Sequence, residues 1–302
     1  MEWTYAGAAT VTLVLISAAA RGQELEPRAY SPSPVGVNFL VANVTHLRGE
    51  TLTDPSLPIK NVQADIDLYV LGYVRTFGLA GRGASLGFVV PYARGEVSGD
   101  VFEQSRAVHR SGIGDVRLRL AVNLFGGPAL SPRDFAQREP GPTLGGSLSV
   151  IVPTGQYEPS RLVNVGANRW ALKPEIGFSY PLGPWFFETS AGAWLFTDNN
   201  DFFGGQRRSQ DSLYIGQVHA GYNFRPGLWL AVNGAYAIGG RTTVGGARSD
   251  DVQHNSRYGA TLSLPLSTGW SAKVAWSKGL TVRAGGNYEI VSFAIQYRWF
   301  SL

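Results

Sequence analysis

The chain has 302 residues, with 38 glycines, 12% aromatic residues, no cysteine and a formal net charge of +4. The lack of cysteine excludes disulfides and sulfur-ligated metal sites. The 26 basic residues are spread along the chain rather than gathered in runs, which argues against a nucleic-acid-binding surface. Beyond the N-terminus no segment approaches the roughly 20 apolar residues that a membrane-spanning helix needs.

The N-terminus has the pattern of a secretory signal peptide. Residues 6–20, AGAATVTLVLISAAA, are apolar and end in small residues, although Met1–Tyr5 lacks the usual basic residue. We predict a signal peptide at residues 1–22, cleaved after Ala20 or Gly22. Residues 23–34 are rich in proline and polar groups, and we expect them to hang in the periplasm or to enter the lumen as a plug, with the periplasm favoured.

From residue 35 onward, apolar and polar residues alternate in segments of about 10–14 residues, the length of tilted strands in membrane barrels. The clearest alternation is in residues 112–126, GIGDVRLRLAVNLFG, where aliphatic side chains form one face and charged ones the other. We predict an all-β fold, a transmembrane antiparallel up-and-down β-barrel of about 12 strands over residues 35–302. The predicted strands are 35–48, 62–77, 84–97, 112–126, 143–153, 168–182, 184–198, 212–225, 228–239, 256–266, 269–280 and 287–300.

The predicted connections alternate between long polar loops and tight turns, as outer-membrane barrels require. Between the fourth and fifth strands, Ser131 as N-cap and Pro132 in the first turn predict a short periplasmic helix near 131–138. Pro91 and Pro174 lie inside strands, so we expect an interrupted ladder at each. The long loops are predicted near 49–61, 98–111, 155–167, 198–211 and 240–255.

Tryptophan and tyrosine favour membrane interfaces, and the predicted topology brings them to the two rims. Trp170 and Trp194 are expected near the outer rim. The periplasmic rim is expected to hold Tyr180, Trp185, Tyr222, Trp229, Trp270 and Trp299. The alternative fold, a pair of soluble β-sandwiches, predicts extraction without detergent.

Several segments resemble the outer-membrane barrels of the MetA-pathway (phenol meta-degradation) family, over most of the mature chain. The resemblance implies an outer-membrane barrel that passes small compounds, aromatic ones among them, and it carries no catalytic motif. One departure is the tail, since Ser301 and Leu302 follow the aromatic strand end. The segments are ELEPRAYS (24–31), DPSLPI (54–59), GDVRLRLAVNLFG (114–126), GQYEPSRLVNVGANRWALKPEIG (155–177), FFGG (202–205), FRPGLW (224–229), GGRTTVGG (239–246) and QYRW (296–299).

Charged and polar side chains on the face opposite the aliphatic one are predicted to point into the lumen. They either line a solute path or pair across the lumen and close it, with Arg117 and Arg119 bound to carboxylates such as Asp65, Asp67, Glu175 or Glu188. Both signs of charge are present, which argues against strong ion selectivity. The candidates are Asp65, Asp67, Asp115, Arg117, Arg119, Lys173, Glu175, Glu188, His219, Arg257, Lys273 and Arg298.

No pattern for catalysis or metal binding stands out. His219 lacks the local motif of a membrane hydrolase. Residues 198–201, DNND, lack the spacing of a dedicated Ca²⁺ loop and are predicted to form a turn. We therefore expect no catalytic residue, no metal and no cofactor.

The sequence favours a bacterial outer-membrane channel for passive uptake of small molecules, and the resemblance adds aromatic or hydrophobic compounds as solutes. A non-conducting structural or surface-scaffold barrel is the alternative, and an outer-membrane hydrolase is a distant third. The expected partners are outer-membrane lipid, a small-molecule solute, periplasmic chaperones and the barrel-assembly machinery, with no nucleic acid.

Overall fold

The computed structural model describes residues 25–53, 59–101 and 104–300. The predicted signal peptide at residues 1–22 and the last two residues lie outside the described residues. None of the helices in the described ranges is long and apolar enough to cross a membrane.

The alternation of apolar and polar residues produces strands from end to end of the described chain. One short helix, α1 (Pro132–Ala136), and one 3₁₀ turn (Phe203–Gly205) interrupt them. The strands are β1 (Val37–Leu52), β2 (Ile59–Leu79), β3 (Arg82–Val101), β4 (Gln104–Ile113), β5 (Val116–Phe125), β6 (Thr143–Val152), β7 (Ala171–Leu182), β8 (Trp185–Phe196), β9 (Asn199–Phe202), β10 (Gln206–Gln210), β11 (Leu213–Arg225), β12 (Leu228–Gly239), β13 (Thr242–Val244), β14 (Ala247–Arg248), β15 (Gln253–Ser267), β16 (Trp270–Thr281) and β17 (Gly285–Phe300).

The main sheet closes on itself. Its order is β2-β1-β17-β16-β15-β12-β11-β8-β7-β6-β5-β3-β4, with β2 also paired to β3. The segments β4 and β5 follow one another along the same edge of β3, so the 13 segments occupy 12 positions. All the pairs are antiparallel, and the predicted 12-stranded transmembrane barrel is confirmed.

The two ends of the barrel differ. At the end that we call the turn end, the strands are joined by tight turns and by α1, whose N-cap Ser131 accepts a hydrogen bond from the Asp134 backbone N–H. This confirms the predicted helix, although it ends at Ala136. At the loop end, β9, β10, β13 and β14 form a four-stranded sheet within two long connections. Residues 199–201 belong to β9, so the predicted turn over 198–201 is wrong.

The outer face of the barrel is apolar at mid-height. Aliphatic and aromatic side chains that point away from the lumen are exposed on every wall, as contact with lipid requires. Aromatic pairs stand near the turn end, where Trp185 packs edge-on against Tyr222 and Trp270 lies beside Tyr297. Two predicted rim residues are placed differently: Trp194 and Trp229 are buried inside the barrel.

The predicted orientation of the second strand is wrong. Leu68, Val70 and Val74 line the lumen, while Asp65 and Asp67 lie on the outer face. There, Asp67 Oδ1 lies 3.0 Å from His46 Nδ1, and Asp65 Oδ2 lies 3.9 Å from Arg48 Nε. Strand β2 has 21 residues, twice the ~10 that cross a membrane, so its loop-end half extends into water. Its outer face is therefore charged there, and its inner face is apolar.

Both in-strand prolines coincide with gaps in the ladder. β3 changes partner from β5 to β4 near Pro91, where Gly114 and Asp115 break the neighbouring strand and the Gly114 N–H donates to the Pro91 carbonyl at 2.8 Å. At Pro174, the β7–β8 ladder has a gap. Leu172 and Glu175 pair with residues of β8, but Lys173 and Pro174 between them do not. The predicted interruptions are confirmed, because proline supplies no ladder donor.

Candidate functional site: the lumen

The N-terminal segment, residues 25–34, enters the lumen from the turn end. The Val35 N–H donates to the Leu130 carbonyl at that end, and residues 25–29 lie deeper and line the central cavity. Of the two positions that the sequence left open for this segment, its described residues occupy the lumen rather than the periplasm.

Tyr30 fixes the N-terminal segment to the barrel wall. Its ring lies over Gly145 of β6 and Gly177 of β7, which are direct ladder partners, and a Cβ on either glycine would overlap the ring. The Tyr30 hydroxyl donates to Glu175 Oε1 at 2.7 Å and lies 2.9 Å from Ser147 Oγ. Burial, together with the neighbouring Glu175 charge, raises the pKa of Tyr30 to about 12. The tyrosine is thus a neutral donor at all physiological pH values.

Glu175 is the centre of a charged network on the wall formed by β5–β8, which we call the polar wall. Its Oε2 accepts from Lys173 Nζ at 2.9 Å, and its Oε1 lies 3.8 Å from Arg119 Nη2. The guanidinium of Arg119 also stands 5.2 Å from the centre of the Tyr30 ring. One carboxylate therefore serves two cations and the tyrosine hydroxyl, as a buried charge requires.

A second anchor joins the N-terminal segment to Glu188. Glu188 Oε2 accepts from the Arg28 backbone N–H, and Oε1 accepts from Ser31 Oγ at 3.0 Å and from Ser179 Oγ at 2.9 Å. The Arg28 guanidinium lies 4.3 Å from the centre of the Phe186 ring. Burial is the main cause of a lowered Arg28 pKa, which the Glu188 charge opposes.

Glu26 lies deepest of the charged groups in the segment. Its Oε1 is 3.5 Å from Arg117 Nη2. Burial raises the pKa of this carboxyl, but the positive charges of Arg117, Arg119, Lys173 and Lys273 together outweigh that effect and lower the pKa to about 2. Glu26 therefore carries a negative charge inside the lumen at every pH at which a cell lives.

Opposite the polar wall, the inner faces of β1–β3 are mostly apolar, and we call them the apolar wall. Between this wall and the N-terminal segment lies a cavity of about 560 Å³. That volume is within the range of small-molecule sites. The apolar wall contributes Val41, Leu47, Leu68, Val70, Val74, Val89 and Ala93.

The loop between β6 and β7 crosses the loop end of the lumen. Its Val163 packs into a buried cluster with Leu47, Ile66 and Tyr288, while Val165 lines the cavity. Asp115, at the break between β4 and β5, accepts from the Gly155 N–H at 3.0 Å and from the Ala167 N–H at 2.9 Å. One carboxylate thus holds both ends of this loop against the barrel wall.

The other predicted lumen residues have separate environments. His219 is buried, with Nδ1 2.8 Å from Asn233 Oδ1, and Arg257 donates to Ser277 Oγ at 3.0 Å. Lys273 Nζ lies in the cavity, 5.8 Å from the centre of the Trp229 ring. Arg298 is on the lumen-facing register of β17, but it is exposed near the turn end. No cluster of metal-ligating side chains occurs within the residues described.

The structure therefore brings Arg117, Arg119, Lys173, Glu175 and Glu188 together around the N-terminal segment and places Asp65 and Asp67 outside. Sequence reasoning missed Glu26, Arg28 and Tyr30, which contact this group. It also missed the apolar wall. The glycines at 145 and 177 were the available signal for Tyr30, because lumen-facing glycines in strands mark a close approach of another group.

Comparisons with known proteins agree with the barrel fold. Residues 49–298 match the model of the family described as "Putative MetA-pathway of phenol degradation". The chain belongs to this family. It is similar in fold to an outer membrane channel from Pseudomonas putida F1, with 22% identity and a TM-score of 0.77 over 91% of this chain and 100% of that one. The β domain of the Bordetella autotransporter BrkA is 14% identical, with a TM-score of 0.52 over 88% of this chain and 100% of the other. No curated protein matches the chain.

Proposed function

We propose that this barrel is an outer-membrane channel for the passive uptake of small hydrophobic or aromatic compounds. The observation that carries the proposal is the cavity of about 560 Å³ between the apolar wall and the N-terminal segment. Water-filled pores for polar solutes are lined by polar side chains. Here the valines and leucines of β1–β3 offer an apolar solute a surface instead.

Two further observations support uptake. The family description refers to phenol degradation, a process that consumes an aromatic compound, and the similar structure from Pseudomonas putida F1 is titled an outer membrane channel. The chain is, on this proposal, not an enzyme. His219 Nδ1 lies 2.8 Å from the Asn233 amide oxygen, and the Asn233 amide nitrogen donates to Thr261 Oγ1. Among the described residues, an amide therefore takes the place at Nδ1 that a carboxylate has in a hydrolase triad.

If the proposal is right, the purified barrel lets ions and small solutes pass. Reconstituted into planar bilayers, the protein is expected to give unit current steps, and it should allow liposomes to swell in small solutes. A sealed scaffold barrel gives neither, and that result would overturn the proposal. A lipase assay on the same preparation tests the hydrolase alternative, for which we expect no turnover.

Delivery to the membrane would depend on periplasmic chaperones and the barrel-assembly machinery, as for other barrels of this kind.

A further inference from the structure

Two cations stand at the borders of the apolar wall. Around the barrel the strand order runs β16, β17, β1, β2, β3, β5. Lys273 on β16 lines the cavity on one side of the wall, and Arg117 on β5 lines it on the other. Any solute lying against β1–β3 therefore has a positive charge within reach at either side.

The charges that line the cavity do not cancel. Three are positive and two are negative: Arg28, Arg117 and Lys273 against Glu26 and Asp115. Asp115 is occupied by the loop N–H groups, and Glu26 lies 3.5 Å from Arg117. In the described part of the chain no carboxylate lies within 4 Å of Lys273 Nζ. The more distant charges of Glu26 and Glu188 attract it, the charge of Arg28 repels it, and the centre of the Trp229 ring lies 5.8 Å away.

An ammonium group in an apolar cavity is stabilised by a solute that carries a negative charge, and the apolar part of the same solute can contact the apolar wall. Removing a charge from water is costly unless the charge is paired, so a half-buried lysine that lines a mostly apolar cavity favours an anionic solute over a neutral one. The apolar wall can cover the rest of such a solute, and binding sites of this kind combine an apolar lining with few polar groups.

We propose that the cavity binds organic anions with an apolar body, such as aryl or alkyl carboxylates, with the carboxylate at Lys273 and the body against Leu68, Val70 and Val89. The inference rests on the proposed uptake function and narrows its solute class. Arg117, partly neutralised by Glu26, borders the opposite side of the wall and directs the second end of a longer solute.

The test compares two probes with the same body. The purified barrel in nonionic detergent is titrated calorimetrically with 3-phenylpropionate and with 3-phenylpropan-1-ol at pH 7.5, with empty micelles as the blank. We expect the acid to bind more tightly than the alcohol. Lys273→Gln should weaken acid binding about tenfold, equivalent to about 1.4 kcal/mol, and leave alcohol binding unchanged.

The matched control is Lys278→Gln, on the same strand but exposed on the outer face, which should bind both probes as the wild type does. Lys273→Arg keeps the charge and should retain acid binding, which separates a lost charge from a misfolded barrel. Equal binding of both probes, unchanged in Lys273→Gln, would overturn the anion preference and leave the uptake of apolar compounds standing. Binding of neither probe by the wild type would overturn both.

Discussion

At the scale of single residues, close contacts hold the N-terminal segment against the polar wall. Tyr30 packs on a pair of facing glycines, so the absence of two side chains in the wall makes room for the ring of the N-terminal segment. The hydroxyl then selects Glu175, which is already held by Lys173 and Arg119. Shape and charge specify the same position for the segment.

A methyl group at this contact tests the packing. Gly177→Ala places a Cβ inside the Tyr30 ring, so the ring must move and the segment must leave the polar wall. We expect a larger unit current in planar bilayers than for the wild type. The control is Gly216→Ala, where the nearest heavy atom to the new Cβ is Ser190 O at 3.9 Å. If Gly177→Ala conducts as the wild type does, Tyr30 does not hold the segment.

Single residues also show how far the sequence alone reaches. The alternation predicted the inward direction of Arg117, Arg119, Lys173, Glu175 and Glu188, because their strands have an aliphatic outer face. It failed at Asp65 and Asp67, since β2 is apolar on its inner face. Periodicity fixes which residues share a face and not which solvent that face meets. The loop-end extension of β2 beyond the membrane is a property of the whole barrel and has no local signal.

At the scale of elements, the N-terminal segment and the β6–β7 loop narrow the lumen from opposite ends. Each is held by carboxylates: the segment by Glu175 and Glu188 on the wall and by its own Glu26, the loop by Asp115. Neither element has regular structure of its own, so these bonds and a few buried side chains determine its position. The sequence left the position of the segment open for that reason.

Acid should release the N-terminal segment. The pKa of Glu26 is lowered from 4.5 to about 2, so the charged form stabilises the docked segment above pH 4.5, and this stabilisation is lost progressively as the pH falls towards 2. A spin label on Ala29→Cys, in a chain without other cysteines, should be immobile from pH 5 to 8 and gain mobility below pH 4.

The same label in a Glu26→Gln background identifies the group responsible. Because glutamine cannot ionise, the label should already be more mobile at pH 7, and its mobility should change less on acidification. A pH profile identical in the two backgrounds would assign the acid release to other carboxylates of the lumen.

The loop should detach when its carboxylate is removed. Asp115→Ala leaves the backbone N–H groups of Gly155 and Ala167 without their acceptor, at a cost of about 1–3 kcal/mol for each. Trypsin should then cut after the exposed Arg161 faster than in the wild type. Asp134→Ala, in α1 at the opposite end, is the control and should leave the cleavage rate unchanged. Equal rates in Asp115→Ala and the wild type would show that the loop is held by other contacts.

At the scale of the whole molecule, the barrel has two different solvents outside and two different walls inside. Its mid-height outer face is aliphatic and meets lipid, while the outer face of the long strands at the loop end carries charges such as those of Arg48 and Asp65. Inside, the polar wall holds the N-terminal segment, and the apolar wall remains open to solute. The strand number, the closure and the helix followed from the sequence, because each has a local signature.

The lipid-facing assignment predicts the effect of a charge at mid-height. Val218 on β11 is 60% exposed and points outward, so Val218→Arg should lower the free energy of unfolding in liposomes, and so destabilise the barrel, by about 2–4 kcal/mol. Heat-modifiable migration on gels after refolding reports the folded fraction. Asn200→Arg, exposed on β9 at the loop end, should fold as the wild type does. Equal folding of both variants would contradict contact between Val218 and lipid.

The most direct test of the channel is to fill its cavity from the apolar wall. Val70→Trp places an indole in the cavity, whereas Leu71→Trp places it on the outer face of the same strand, where Leu71 is 53% exposed. Unit conductance and liposome swelling should be measured for both variants and the wild type, with folding checked by heat-modifiable migration. We predict that Val70→Trp lowers both quantities and that Leu71→Trp lowers neither. A wild-type barrel without current or swelling, or a Val70→Trp barrel that conducts and swells as the wild type does, would contradict passage through this cavity.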